Sequence, residues 1–258
     1  MSYPQLKITF LGTGTSSGVP MIGCDCAVCT SSNPKDKRLR SSILVQSNDT
    51  TLVVDTTPDF RYQMLRENVK ELDAVIITHH HKDHIAGLDD IRAYNYFSGK
   101  TMQVYATEPS QEALKREFSY IFSGKKYPGI PKINLNTISS EPFTVGDIRV
   151  QPIQVMHLDM PVLGFRFGNF TYITDANFIS EPELDKIKGS ECLVLNALRN
   201  EKHISHFSVP EAVALSEGLN IKETWFTHMS HQVGTHDDVN SSLPKNAQLA
   251  YDGLTLKF

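Results

Sequence analysis

The chain has 258 residues, 40% hydrophobic and 21% charged, with 25 basic against 29 acidic side chains and a net charge of −4. That composition suits one large globular core over residues 1–258, with no linker or composition break, and it speaks against broad electrostatic binding to nucleic acid or anionic membranes. The N-terminus lacks a basic segment followed by an apolar core, and no run approaches the roughly 20 apolar residues of a membrane span, so a cytoplasmic setting is expected. There Cys24, Cys26, Cys29 and Cys192 read as thiols or metal ligands, not disulfides.

In chain order, residues 6–11 read as a strand ending at Gly12-Thr13-Gly14, and 42–46 with 51–55 as a hairpin around Ser47-Asn48-Asp49. Residues 60–69 look helical, 72–78 form a β-branched apolar run typical of a buried strand, and 85–92 return to helical spacing. Residues 102–106 predict a strand and 110–120 a helix. They fall inside 98–141, whose Gly99, Gly124, Pro128, Gly129 and Pro131 predict an irregular insertion. The second half has strands at 148–156, 164–174, 192–195 and 223–227, and a helix at 210–217 with Ser208 as its N-cap. The tail, 247–258, reads as two short strands around Asp252-Gly253. Strands alternating with helices in both halves predict an α/β layered sandwich.

The densest chemistry is the run His79-His80-His81-Lys82-Asp83-His84, at the turn between a buried strand and a helix. Alternation along extended chain puts His79 and His81 on one face and turns His80 away. Asp83 and His84 lie past the turn and can address a second ion. Borderline metals prefer such nitrogen and oxygen donors, and four donors in one turn exceed what a single open site needs.

His79-x-His81-x-Asp83-His84 after an apolar strand resembles the signature of the metallo-β-lactamase superfamily. The resemblance implies a four-layer αββα sandwich and further ligands at later strand ends. His157, Asp175 and His228 each stand at such an end. It implies one ion on His79, His81 and His157, another on Asp83, His84 and His228, and Asp175 between them. Asp83 is also a catalytic candidate. Two divalent ions, zinc or manganese, about 3.5–4 Å apart would hold a water and acidify it to hydroxide. Asp55, and Asp89 or Asp90, are candidate partners for the ligand imidazoles, with ordinary turn or helix-surface carboxylates as the competing reading.

Cys24-x-Cys26-x-x-Cys29 supplies three thiols in a loop, and His231 offers a fourth donor three residues beyond His228. Such a Cys₃His set makes a closed structural zinc site; free reduced thiols are the alternative. This knuckle after Gly12-Thr13-Gly14 is similar to that of PhnP-type phosphodiesterases, and the match runs from Gly12 to His231. The RNase Z enzymes, also similar, carry a long arm for the tRNA elbow. In both types a non-ligand histidine precedes the last metal histidine by 22 residues, which falls on His206. The resemblance implies that His206 donates to the leaving or phosphoryl oxygen, whereas His203 reads as a loop residue.

The implied function is a dinuclear metal-dependent hydrolase of small or cyclic ribose phosphodiesters. Rival readings are a tRNA 3′-processing endonuclease, hydrolysis of a thioester or lactone, and a PqqB-like cofactor-biosynthesis oxidoreductase. The expected partner is a small phosphodiester, with nucleic acid less favoured, no membrane, and homodimerisation left open.

Overall fold

The protein is described here by a computed structural model covering residues 4–124 and 127–258. Its first sheet takes β1 (Lys7–Gly12), β2 (Ser42–Gln46), β3 (Thr51–Val54), β4 (Ala74–Ile76), β5 (Met102–Ala106) and β6 (Ile133–Thr137). The second takes β7 (Phe143–Val145), β8 (Ile148–His157), β9 (Met160–Phe167), β10 (Phe170–Ile173), β11 (Cys192–Asn196), β12 (Glu223–Thr227) and β13 (Ala247–Leu249). The last strand, β14 (Thr255–Lys257), crosses back to pair antiparallel with β1. The orders are β14-β1-β2-β3-β4-β5-β6 and β13-β12-β11-β10-β9-β8-β7.

The layering follows from side-chain alternation along each strand. Ile43, Val45, Leu52, Val54, Ala74 and Ile76 point between the sheets, where they meet Phe165, Phe167, Tyr172 and Val194 of the second sheet. Helix α1 (Ala27–Thr30) is a single turn within the cysteine loop. Leu44, Val53 and Val75 point the other way, onto Phe60 and Met64 of α2 (Phe60–Arg66) and onto Ile85 and Leu88. Leu193, Leu195 and Phe226 likewise face outward, onto Ile187, Val209 and Val239 from the helices over the second sheet. Strands buried on both faces read as continuous apolar runs. The result is the expected αββα sandwich.

Several expectations are revised. The helical reading of 85–92 is broken into α3 (Lys82–Ile85), a 3-10 turn (Leu88–Ile91) and α4 (Arg92–Ser98). Gly87 sits at the break, and a Cβ there would lie 2.1 Å from the Thr57 carbonyl oxygen. The segment 98–141 is largely regular: β5, then α5 (Glu108–Glu117), α6 (Ser119–Phe122) and β6 at the sheet edge. Its Lys125 and Lys126 lie outside the described residues. β6 carries Asn134 and Asn136, and only pairing with β5 makes it a strand. The two tail strands form on either side of Asp252-Gly253 as expected, but β13 and β14 belong to different sheets. Helices α7 (Glu181–Ile187), α8 (Val209–Gly218) and α9 (His236–Ser242) cover the second sheet; the first and last carry too little apolar periodicity to stand out in the sequence.

Candidate metal centre

The site lies where strand ends of both sheets open. β4 stops at Ile76, so His79 and His81 sit on the extended loop beyond it, with His81 capping α3. Alternation persists through that loop: the rings of His79 and His81 lie 4.7 Å apart, while His80 turns to an outer pocket with Pro109 and Met160. His157 ends β8, placing its ring 5.1 Å from His81 and 5.7 Å from His79. These three can share one ion, their donor atoms lying within 4.8 Å of one another.

Asp83, His84, Asp175 and His228 form the second donor set. The His84 Nε2 lies 3.2 Å from Asp175 Oδ2 and 3.3 Å from Asp83 Oδ2, and His228 Nε2 lies 3.0 Å from Asp175 Oδ1. Asp175 thus stands between His84 and His228. It also forms a third set with His157 and His206, and His206 Nε2 lies 3.1 Å from Asp175 Oδ1. The His206 ring stacks on His228 at 5.0 Å and meets His157 edge-on at 4.6 Å.

The backbone around these residues is unusual. Asp55, Asp175 and His228 have φ of 67°, 56° and 56°, in the left-handed region. Few non-glycine residues adopt it, Asp and His among the more tolerant, and such conformers collect at functional sites. Asp55 and His228 each directly follow a strand, and Asp175 follows β10 by one residue.

The donors are supported from behind. The Asp55 carboxylate accepts hydrogen bonds from the Thr78 N–H (2.8 Å) and hydroxyl (2.8 Å) and lies 2.7 Å from His84 Nδ1. His157 Nδ1 donates to the Ser205 carbonyl at 2.8 Å, leaving Nε2 toward the site. On the site side, Thr15 Oγ1 lies 3.2 Å from the same His228 Nε2 that faces Asp175. Asp55 was one candidate support; Thr15, Thr78 and Ser205 carried no signal, because hydroxyls and carbonyls have no ligand spacing. Among the described residues, neither Asp89 nor Asp90, both in the 3-10 turn, is hydrogen-bonded to a ligand imidazole; Asp89 pairs with Arg92.

Electrostatics and unmet hydrogen bonding both fit a cation. Among the described residues, His79 Nε2 and His84 Nε2 are buried without a hydrogen-bond partner, an arrangement proteins rarely tolerate. Burial pushes His79 well down and His228 down to about 4, so both are neutral imidazoles able to donate a lone pair. Burial would also lower His84, but Asp175, Asp83 and Asp55 outweigh it and draw positive charge onto that ring. Against burial, His228 and His84 hold Asp175 well below the usual carboxylate range, and His84 does the same for Asp83. Three carboxylates converging on one buried ring ask for more positive charge than an imidazolium provides.

The knuckle forms separately. Cys24, Cys26, Cys29 and His231 bring their donor atoms within 4.8 Å of one another. His231 Nδ1 lies 3.2 Å from Cys24 Sγ and 3.4 Å from Cys26 Sγ. The Cys29 N–H and then His231 bring the Cys26 thiol down to about 6, while burial pushes Cys29 up to about 11. The turn after β12 joins both centres, since His228 and His231 lie on it, and the Thr15 and Met229 N–H groups donate to the Met229 and Thr13 carbonyls at 3.0 Å each.

A family model described as a beta-lactamase superfamily domain matches residues 50–229. Among solved structures, a diphosphatase from the PhnP family is 40% identical, with a TM-score of 0.93 over 98% of this chain and 97% of that one. The Zn²⁺-bound PqqB of Methylobacterium extorquens shares the fold, at 18% identity and a TM-score of 0.79 over 98% of this chain and all of that one. An octanoyltransferase of Porphyromonas gingivalis is 35% identical over 252 residues, which are 96% of this chain and 51% of that protein. The chain therefore spans about half the length of that relative. Signature residues, sandwich and relatives agree: the chain belongs to the metallo-β-lactamase superfamily of hydrolases and, within it, to the PhnP family.

Proposed function

We propose that this protein hydrolyses phosphoric esters or diphosphates of small molecules, using two divalent metal ions. The observation that carries the reading is the pair of donor sets, His79/His81/His157 and Asp83/His84/Asp175/His228, with buried unpartnered nitrogens in both. Each set leaves room for exchangeable positions. When bound, such ions supply Lewis acidity toward a phosphoryl oxygen and acidify a water between them. His206 gives a proton or hydrogen bond to the departing oxygen in this reading, which its stacking on His228 and its contact with Asp175 support. Its other nitrogen is 3.0 Å from Ser205 Oγ, which fixes the ring. The PhnP-family diphosphatase favours a phosphorus-centred substrate. About half of the octanoyltransferase lies outside the stretch that this chain matches, so its acyl-transfer activity does not bear on this site.

A small substrate fits better than a tRNA. The described part of 98–141 is built into the body as β5, α5, α6 and β6, and the net charge is −4. The Cys₃His knuckle is read as a structural zinc that pins the turn carrying His228. A cytoplasmic setting, in keeping with reduced cysteines, is part of the same proposal.

Metal analysis combined with a substrate panel tests this: bis(p-nitrophenyl) phosphate, a cyclic ribose phosphate, a dinucleoside diphosphate and a precursor tRNA. Three metals per chain and turnover of at least one small phosphorus ester are expected. Turnover of the tRNA alone would replace the reading with an endonuclease. His206→Ala should keep all three metals and lose on the order of 10²–10⁴-fold in kcat. Loss of a metal would instead make His206 a ligand, as its set with His157 and Asp175 allows.

A further inference from the structure

Three large apolar side chains stand exposed on the loops that carry the site. Leu158 is 49% exposed, Phe178 55% and Ile204 73%. Leu158 follows His157, Phe178 lies three residues after Asp175, and Ile204 two before His206. The loops are laced together beside these positions. The Leu158 N–H donates to Asn177 Oδ1 at 2.7 Å and the Met156 N–H to the Phe178 carbonyl at 2.9 Å. His157 Nδ1 donates to the Ser205 carbonyl, and the Phe207 N–H to the Ala176 carbonyl at 2.7 Å.

Leu158 is the most telling. It occupies the two-residue turn between β8 and β9 with φ of 56°. Both that backbone conformation and its contact with solvent would favour glycine or asparagine. Leucine there is disfavoured twice over, and packing does not explain it, since half the side chain is in water. An outlier of this kind beside a reactive site points to function.

We infer that Leu158, Phe178 and Ile204 form an apolar subsite for the organic substituent of the substrate beside His206. The inference rests on the phosphoester reading, which places the phosphorus over the two donor sets. All three residues belong to the loops of His157, Asp175 and His206, so the subsite lies on the His206 side, where the departing group sits. The substrate class is therefore an ester or diphosphate whose leaving portion carries an apolar or aromatic moiety.

Calorimetric binding of phenylphosphonate and methylphosphonate to the metal-loaded protein separates the outcomes. Phenylphosphonate should bind about tenfold more tightly, the order that burying part of a ring supplies. The double variant Phe178→Ser/Ile204→Ser should bring the ratio near one without changing metal content. Leu158→Gly should reduce the ratio while raising Tm, since glycine relieves the turn; a merely structural leucine would raise Tm and leave the ratio unchanged. Leu65→Ser, on the exposed face of α2, should keep the ratio. Methylphosphonate binding with a ratio near one in the unaltered protein, or a ratio that survives the double variant or is lost in Leu65→Ser, would overturn the subsite alone. Failure of both phosphonates to bind protein with a full metal complement would overturn the phosphoester reading along with it.

Discussion

Asp55 shows how one buried residue serves the site from a distance. It is fully buried, takes both hydrogen bonds of Thr78, and lies 2.7 Å from His84 Nδ1. That contact fixes the His84 ring so that Nε2 faces Asp83 and Asp175. Losing such a support costs about 10–100-fold in metal affinity. Asp55→Asn should therefore weaken the Asp83/His84/Asp175/His228 ion by that order in a chelator competition, whereas His80→Ala should leave affinity unchanged. Equal affinities for Asp55→Asn and the unaltered protein would remove Asp55 from this role. The histidine run was legible because four donors in six residues have no packing explanation. Asp55 was only half legible: an acid at a strand end is ordinary turn chemistry until a fold brings His84 to it.

Elements are joined by polar groups buried among them. The loop before β2 sends Arg38 inward, where its guanidinium donates to Thr13 Oγ1 (2.9 Å) and the Ala250 carbonyl (2.6 Å) and lies 3.3 Å from His236 Nδ1 of α9. Asp252 accepts from Thr13 Oγ1 and the Leu39 N–H at 2.8 Å each. Burial pushes Asp252 from 3.8 up to about 6 and His236 from 6.5 down to about 4. His236 is neutral in the fold, so its contribution is lost as pH falls from 6.5 toward 4. Asp252 favours its neutral form in the fold, so its contribution returns as pH falls from about 6 toward 3.8. The two oppose each other over one window. Asp252→Asn removes the second, and its stability should fall by about 2 kcal/mol more than that of the unaltered protein between pH 7 and 4. Urea unfolding at both pH values measures this, and parallel losses would refute it. A related constraint at this scale is Gly12, where a Cβ would lie 1.9 Å from the Arg40 carbonyl oxygen.

For the whole molecule, the core between the sheets contains side chains from β1 through β4 and from β7 through β12. Crossover by β14 ties the C-terminus to the first strand. Neither sheet can keep its inner face dry without the other, and exposing it costs about 25 cal/mol per Å². Unfolding in guanidinium should therefore be one transition, with fluorescence of the single tryptophan, Trp225 in β12, coinciding with far-UV circular dichroism. Two separated transitions would divide the chain into units that fold apart.

Alternating strands, the histidine run and the cysteine triplet were legible in the sequence, because periodicity and donor spacing are local properties; His157, Asp175 and His228, far apart in the chain, stood out only through the family resemblance. It overestimated the irregularity of 98–141, because Gly and Pro mark turns without showing that Ile133–Thr137 can add to a sheet edge. Only the tertiary structure decided which sheet each tail strand joins, which carboxylate supports His84, and that Leu158, Phe178 and Ile204 share one set of laced loops. Those facts depend on residues far apart in the chain meeting through hydrogen bonds and buried apolar surface, and local sequence does not encode such meetings.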